Sequence, residues 1–303
     1  MRTIPNAPAT RRTSLLFAAL GAALLQTTTV GAQGASVRFQ RAALATGVSV
    51  RYAESGDPAG EVVLFLHGLS DSWLSWREVL ERLPRGVRGI ALDQRGHGES
   101  EQPACCYGMP DLVADAVALL DHVGASRATI VGHSMGGFVA QTLAARHPER
   151  VRRLVVIGNG PSVRVPPMEE FAAAVGRMGD TLPTGFAREF QVSTIHTPIA
   201  PAALDAFVVE SERLPPRVWK GLVAGMLADD ERGRAARITA PTLIVNGEKD
   251  SFWTPVEART LQQGLRGAEL QIFPATGHAV HWERPGAFVR TLSAFIERTR
   301  ARQ

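Results

Sequence analysis

A serine set between glycines is the part of the sequence whose residue types point most directly to chemistry. Residues 132–136 read Gly-His-Ser-Met-Gly, and Gly137 follows. The run Thr129–Val131 predicts a buried strand before the motif, and Phe138–Arg146 predicts a helix after it. A sharp strand-to-helix turn of this kind strains a serine and exposes its hydroxyl as a nucleophile. We therefore predict that Ser134 is a catalytic nucleophile.

A serine hydroxyl needs a neighbouring base to remove its proton, and the chain holds eight histidines. His278 comes after the strand-like run Glu269–Phe273, on a loop marked by Gly277. Parallel strands end at one edge of a sheet, so this loop should meet the serine there. We assign the base to His278, and His281 is the alternative. His133, beside the serine, is expected to face elsewhere.

The imidazole in turn needs a carboxylate that fixes its tautomer and stabilises its cation. Asp250 follows the strand-like run Thr242–Val245 and falls at the same predicted edge. We assign this role to Asp250, with Glu248 as the alternative two residues earlier. The catalytic order along the chain is then Ser134, Asp250, His278.

Acyl transfer places negative charge on an oxygen, which backbone N–H groups must stabilise. The amide of Met135, directly after the serine, is one predicted donor. The second is predicted to be the amide of Leu69, in the loop after the strand-like run Val62–Leu66.

The elements that must hold these residues alternate between strand and helix, which predicts an α/β fold with a mostly parallel central sheet flanked by helices. The further predicted strands and helices are Val48–Tyr52, Arg88–Leu92, Leu154–Ile157, Asp111–Val123 and Phe288–Arg298. Residues 161–237 contain no convincing strand and eight prolines. We interpret them as a helical cap inserted into a core of residues 33–160 and 238–303.

Five motifs, FLHGLS, LDQRGHGES, VGHSMGG, PTLIVNGEKD and GHAVHWERP, occur in that order. With them the chain resembles the α/β-hydrolase fold superfamily over nearly its whole length after residue 32. Within it, the chain is similar to single-cap serine esterases, lactonases and carbon–carbon hydrolases, a group that includes cofactor-free haloperoxidases. The resemblance implies a cap that covers the active site, and no metal or organic cofactor. Dehalogenases and epoxide hydrolases of this fold use an aspartate nucleophile, which Ser134 disfavours.

The predicted cap supplies apolar and aromatic side chains that either line a substrate pocket or hold the cap in place. They are Met168, Phe171, Met178, Phe186, Phe190, Ile195, Phe207, Trp219 and Met226. Trp73 and Trp76, after the oxyanion loop, could likewise line the pocket or pack the first helix. Arg188 or Arg217 could bind a substrate carboxylate, although basic residues on a cap are usually solvated.

We therefore expect a serine hydrolase that cleaves small to medium apolar carboxylic esters or lactones through an acyl-enzyme. The alternatives are a carbon–carbon bond hydrolase, a cofactor-free haloperoxidase or perhydrolase, and a receptor-like ligand-binding protein of the same fold. The sequence makes no prediction of oligomeric state.

The first 32 residues differ in composition from the rest of the chain. Arg2, Arg11 and Arg12 precede an apolar stretch at Leu15–Leu25, and a small-residue Val-Gly-Ala end follows. This pattern predicts a signal peptide, with a partial likeness to twin-arginine signals, and hence an exported protein.

The formal net charge is +4. Without the three leader arginines it falls to about +1, and no basic–aromatic cluster favours nucleic-acid binding.

The only two cysteines, Cys105 and Cys106, are adjacent. They are too few for a structural zinc site, which needs about four ligands. An exported protein could join them in a vicinal disulfide, but we favour two unpaired loop residues.

Overall fold

The protein is described from a computed structural model, which covers residue 3, residues 36–229 and residues 233–300. Apart from Thr3, the predicted signal peptide at residues 1–32 lies outside the described residues.

One mixed sheet of eight strands forms the centre of the described chain, in the order β1-β2-β4-β3-β5-β6-β7-β8. The strands are β1 (Arg38–Ala43), β2 (Ser49–Gly56), β3 (Glu61–Leu66), β4 (Val87–Leu92), β5 (Ala128–His133), β6 (Val151–Ile157), β7 (Thr242–Gly247) and β8 (Glu269–Phe273). Strands β3 to β8 pair in parallel, whereas β2 pairs antiparallel with both β1 and β4. The predicted α/β fold class is confirmed.

The helices follow the strands along the chain. They are α1 (Arg77–Leu80), α2 (Met109–His122), α3 (Met135–Arg146), α4 (Pro166–Gly176), α5 (Phe186–Ser193), α6 (Pro201–Glu212), α7 (Pro216–Ala228), α8 (Pro255–Gly264), α9 (Val280–Glu283) and α10 (Pro285–Arg300). Helices α4 to α7 all fall between β6 and β7, in the segment that the sequence marks as an insertion. A proline occupies the first turn of each of α4, α6 and α7, where the missing N–H costs nothing.

The sheet is covered on both faces, as the alternation of its side chains requires. Along β3, Leu64 and Leu66 belong to the core that includes α2 and α3, while Val63 and Phe65 belong to the core that includes α1 and α10. All four of these side chains are completely buried. Parallel strands covered by helices on both faces read as unbroken apolar runs, which is why these runs were recognisable in the sequence.

The register of the sheet brings the ends of five strands to one edge. Leu66 pairs with Gly132, His133 with Ile157, and Ile157 with Val245. The loops that leave β3, β5, β6, β7 and β8 therefore start side by side. The chain order reverses here, since β4 lies on one side of β3 and β5 on the other. Ligand sites in α/β sheets form at such points.

Strand β1 is a missed element. Five of its six residues are exposed, including charged Arg38 and Arg41, so it lacks the apolar run that marks the inner strands. It forms the edge of the sheet, where exposed charged side chains are common.

The prediction for the cysteines was wrong in its preferred form. A disulfide joins Cys105 and Cys106, and both residues are exposed on the loop before α2.

Among residues 36–229 and 233–300, no helix combines the length and apolar character needed to cross a bilayer.

Asp93, at the end of β4, ties two loops to the sheet. Its Oδ1 accepts the backbone N–H of Trp73 at 2.6 Å, and its Oδ2 accepts that of Glu99 at 3.2 Å. Burial is the largest influence on this carboxyl, and it raises the pKa of Asp93 from 3.8 to about 7 against those two hydrogen bonds. The folded protein therefore holds a proton here that the unfolded chain has already released between about pH 4 and pH 7.

This difference predicts a specific pH dependence of stability. Because the folded state binds the extra proton, the contribution of Asp93 to the free energy of unfolding falls as pH rises from about 4 to about 7. Urea unfolding at pH 4, 5.5 and 7 should show a smaller decline for Asp93→Asn than for the wild type. Identical slopes for the two proteins would contradict the assignment.

Candidate active site

Ser134 occupies a tight turn between β5 and α3. Its backbone has φ 50° and ψ −119°, a conformation that residues other than glycine rarely adopt. A Cβ at Gly132 would overlap the backbone of Gly136, and a Cβ at Gly136 would overlap the carbonyl oxygens of Leu66 and His67. The glycines that flank the serine are therefore required by close packing of backbone against backbone.

Asn159, on the loop after β6, holds this turn in place through hydrogen bonds of its side chain. Its side-chain amide donates to the Ser134 carbonyl oxygen at 3.0 Å, and its Oδ1 accepts from Gln141 Nε2 at 3.1 Å. A Cβ at Gly137 would overlap that same Oδ1. The sequence analysis missed Asn159, although its place at the carboxyl end of a parallel strand was a usable signal.

Asp250 and His278 form a buried pair on the loops after β7 and β8. Asp250 Oδ2 lies 2.9 Å from His278 Nδ1, and Asp250 Oδ1 accepts the backbone N–H groups of Phe252 and Trp253 at 2.9 and 3.1 Å. Both side chains are at least 97% buried. The pairing at Nδ1 leaves Nε2 as the imidazole atom available to a reacting group.

Ser134 and His278 line one cavity. Among the described residues, no hydrogen bond joins the Ser134 hydroxyl to the imidazole. Such contacts are often long until substrate binds. The structure thus brings together the three side chains assigned from the sequence, with the Asp–His contact formed.

The two backbone amides predicted as oxyanion donors are not engaged elsewhere. Within residues 36–229 and 233–300, neither Leu69 N nor Met135 N has a hydrogen-bond partner. The neighbouring amides are used, since Ser70 N donates to His97 Nε2 and Gly137 N donates to the Ser134 carbonyl. Met135 also opens α3, whose first N–H groups carry partial positive charge.

The cavity around Ser134 is narrow, with about 20 Å³ in which the centre of a water-sized sphere can lie. It is lined mainly by apolar side chains from the loops and from α4, α5, α7 and α9. Its apolar lining is Leu69, Met168, Phe171, Phe190, Met226, Phe252, Trp253 and Trp282. Of the nine cap side chains considered from the sequence, four therefore reach the cavity. Phe186 and Trp219 instead pack against Phe171 and Phe190.

The alternative acid and base lie apart from this arrangement. His281 is completely buried, stacks on Trp76 with ring centroids 4.3 Å apart, and contacts Ser75 Oγ through Nε2 at 2.9 Å. Burial holds the pKa of His281 well below its usual value. Glu248 is exposed and accepts the Ala275 N–H.

The structure also places His133, Arg188 and Arg217, whose orientation or role the sequence analysis considered. His133 lines the cavity, with its ring centroid 4.7 Å from that of His278, so it does not face elsewhere. Arg188 pairs with Asp205 on the exposed face of its helix. Arg217 donates to the carbonyl oxygens of Gln102 and Pro103. Neither arginine lines the cavity.

The tryptophans after the oxyanion loop pack the protein interior instead of the cavity. Trp76 is completely buried against Phe65, and Trp73 lies edge-on to Phe39.

In the part of the chain that the structure describes, no three His, Cys, Asp or Glu side chains are placed to hold a metal ion together.

Comparison with known proteins agrees with this architecture. The family model described as alpha/beta hydrolase fold matches residues 61–285. A 2-hydroxy-6-oxononadienedioate/2-hydroxy-6-oxononatrienedioate hydrolase of Paraburkholderia xenovorans is 31% identical over 264 residues, which cover 82% of this chain and 91% of that protein. A 3-oxoadipate enol-lactonase 2 of Acinetobacter baylyi is 25% identical and covers 86% of this chain and 97% of its own length.

Among solved structures, a hydrolase from Pseudomonas aeruginosa aligns with a TM-score of 0.76 at 27% identity, covering 86% of this chain and 98% of that chain. The chain therefore belongs to the α/β-hydrolase fold family and is a hydrolase.

The packing of the turn yields a prediction for Gly136. Its replacement by alanine places a methyl group against two backbone oxygens that cannot rotate away, so Gly136→Ala should destabilise the fold by about 1–3 kcal/mol and abolish turnover. At Gly176, at the end of α4, an added methyl group would meet nothing within 4 Å, and Gly176→Ala is the matched control. Thermal unfolding and ester turnover measure both effects. Wild-type behaviour of Gly136→Ala would refute the packing argument.

Proposed function

We propose that the protein is a serine hydrolase that cleaves carboxylic esters or lactones through an acyl-enzyme on Ser134. The observation that carries this proposal is the strained Ser134 at the start of α3, in one cavity with the buried Asp250–His278 pair. A serine, an imidazole and an orienting carboxylate together perform nucleophilic acyl transfer on several folds.

In this mechanism His278 Nε2 accepts the Ser134 proton as Oγ attacks the carbonyl carbon. The negative oxygen of the tetrahedral intermediate is bound by the N–H groups of Leu69 and Met135. The alcohol leaves with the proton from His278. Water then attacks the acyl carbon while His278 takes its proton, the bond from the acyl carbon to Ser134 Oγ breaks to release the acid, and His278 returns the proton to Oγ. Asp250 stabilises the imidazolium in both steps.

The cavity lining disfavours a substrate that carries a carboxylate. Among the described residues that line it there is no lysine or arginine, and the side chain of Asp71 adds a carboxyl group. A substrate carboxylate would therefore be buried without a cationic partner, at a high desolvation cost. The apolar side chains favour a short alkyl or acyl group instead.

Carbon–carbon bond hydrolysis, which the resemblance in sequence also allows, is the second candidate. The Paraburkholderia relative is named as a hydrolase of 2-hydroxy-6-oxononadienedioate. That name describes a dioate, which carries two carboxylates. The absence of cationic side chains from the described lining favours the neutral ester or lactone for this chain.

We propose that the segment α4–α7 acts as a cap over the sheet edge, since Met168, Phe171, Phe190 and Met226 reach the cavity from it.

A serine-reactive probe tests the nucleophile. A fluorophosphonate should label the wild type rapidly, and Ser134→Ala should lose both labelling and at least about a thousandfold of ester turnover. Ser193→Ala, at an exposed serine of α5, is the control and should label normally. Rapid labelling of Ser134→Ala would exclude this nucleophile, and a wild type that does not label would favour a binding protein.

We also propose that the protein is exported. The leader pattern at residues 1–32 and the disulfide between Cys105 and Cys106 support this, because disulfides persist in oxidising compartments. Expression of the full chain followed by N-terminal sequencing of the exported fraction should give a mature protein that begins near Gln33. A full-length protein confined to the cytoplasm would contradict export.

A further inference from the structure

Asp71 and Gln191 are two of four polar side chains that line the cavity without a part in the proposed mechanism; the other two are His133 and Thr194. Asp71 lies two residues after Leu69 on the loop that follows β3, and Gln191 lies on α5. Both line the cavity that contains Ser134, and both are at least 97% buried. Buried polar groups normally have their hydrogen bonds satisfied, so each requires an account of its partners.

The orientation of the Gln191 amide is fixed by its neighbours. Its Nε2 donates to Asp71 Oδ1 at 3.1 Å and to Ser211 Oγ at 2.7 Å. A carboxylate only accepts, so the nitrogen must be the atom that faces Asp71. The amide oxygen, Gln191 Oε1, is then left buried with no hydrogen-bond partner among the described residues.

Asp71 is likewise incompletely matched. Its Oδ2 receives one long hydrogen bond, from Ser75 Oγ at 3.4 Å, and lies 3.8 Å from His133 Nδ1. Burial is the main influence on His133 and lowers its pKa, so at neutral pH this imidazole is uncharged. Within the described residues Asp71 has no arginine or lysine partner, whereas buried carboxylates are normally paired with a cation or with several donors.

Two residues of the cavity lining, Asp71 and Gln191, therefore each carry an acceptor oxygen, Oδ2 and Oε1 respectively, that lacks adequate donors. A purely structural role explains only part of this arrangement. The Gln191 Nε2 bonds do join α5 to the loop that holds Asp71, but an apolar contact would do so without leaving an acceptor unsatisfied. An unsatisfied buried acceptor costs stability unless a bound water or a ligand supplies the donor.

We propose that Asp71 and Gln191 form a recognition site for a hydrogen-bond donor carried by the substrate, a hydroxyl or a protonated amine on the acyl chain. This proposal rests on the proposed function, since it names the substrate class of the same cavity. The donor would bond Asp71 Oδ2 and Gln191 Oε1 while the ester carbonyl lies at Ser134. The site selects hydroxy- or aminoacyl esters and lactones over unsubstituted ones, and rejects acyl chains that end in a carboxylate.

A substrate panel tests this selection directly. The panel consists of ethyl butanoate, its derivatives with a hydroxyl or an amino group at carbon 2, 3 or 4, and monoethyl succinate. Turnover of the wild type should be at least about tenfold higher in kcat/KM for the best hydroxy- or aminoacyl ester than for ethyl butanoate. Separate hydroxyl and amine series show which donor the site prefers. Equal kcat/KM for the substituted and unsubstituted esters would overturn the proposal.

Two variants assign the selection to the named atoms. Asp71→Asn keeps the shape of the side chain, and Gln191→Met removes Oε1. In each, the ratio of kcat/KM for the best substituted ester to that for ethyl butanoate should fall about tenfold. The matched control is Asp205→Asn, at an exposed aspartate of α6, which should keep the wild-type ratio. A wild-type ratio in both cavity variants would place the selection elsewhere and overturn the assignment.

Binding to Ser134→Ala separates this proposal from the hydrolase mechanism. Ligand-observed NMR titration of that variant should give a Kd at least about tenfold lower for the best substituted ester than for ethyl butanoate. A binding preference without wild-type turnover would overturn the hydrolase mechanism and leave the recognition site standing. Turnover without a binding preference, or no binding of any ester, would overturn the recognition site.

Discussion

The close contact of backbone with backbone around Ser134 is the constraint on which the site depends. Gly132 and Gly136 approach each other, and Gly136 approaches the end of β3, at distances that exclude any side chain. This contact holds Ser134 in its strained conformation, starts α3 at the next residue, and fixes Met135 N beside the nucleophile. Local stability is lost at the glycines, and the surrounding sheet compensates, as is usual at strained functional positions.

The sheet brings the other residues of the site together with Ser134. Asp250, His278 and Leu69 are far apart along the chain, yet each follows a parallel strand, and the register aligns the ends of those strands. For this reason the sequence was sufficient to predict both the inner strands and the residues at their carboxyl ends. Asp250 and His278 were predicted from a strand-like run and a polar residue on the loop after it, and Leu69 from its place on the loop after β3.

Features that depend on tertiary contacts were harder to predict. Strand β1 is exposed and charged, and so carries no apolar signal. Gln191 lies within the helix Phe186–Ser193, where nothing in the local pattern distinguishes a buried glutamine from a solvated one. The start of α3 was placed at Phe138 because Gly136 and Gly137 are poor helix formers, but packing against Asn159 outweighs that propensity.

The most direct test of the account is the chemical identity of the intermediate. The wild type is mixed with an activated acetyl ester, quenched in acid within milliseconds, digested, and mapped by mass spectrometry. The account predicts an acetyl group on the peptide that contains Ser134. Steady turnover with the acetyl group on another residue would contradict it.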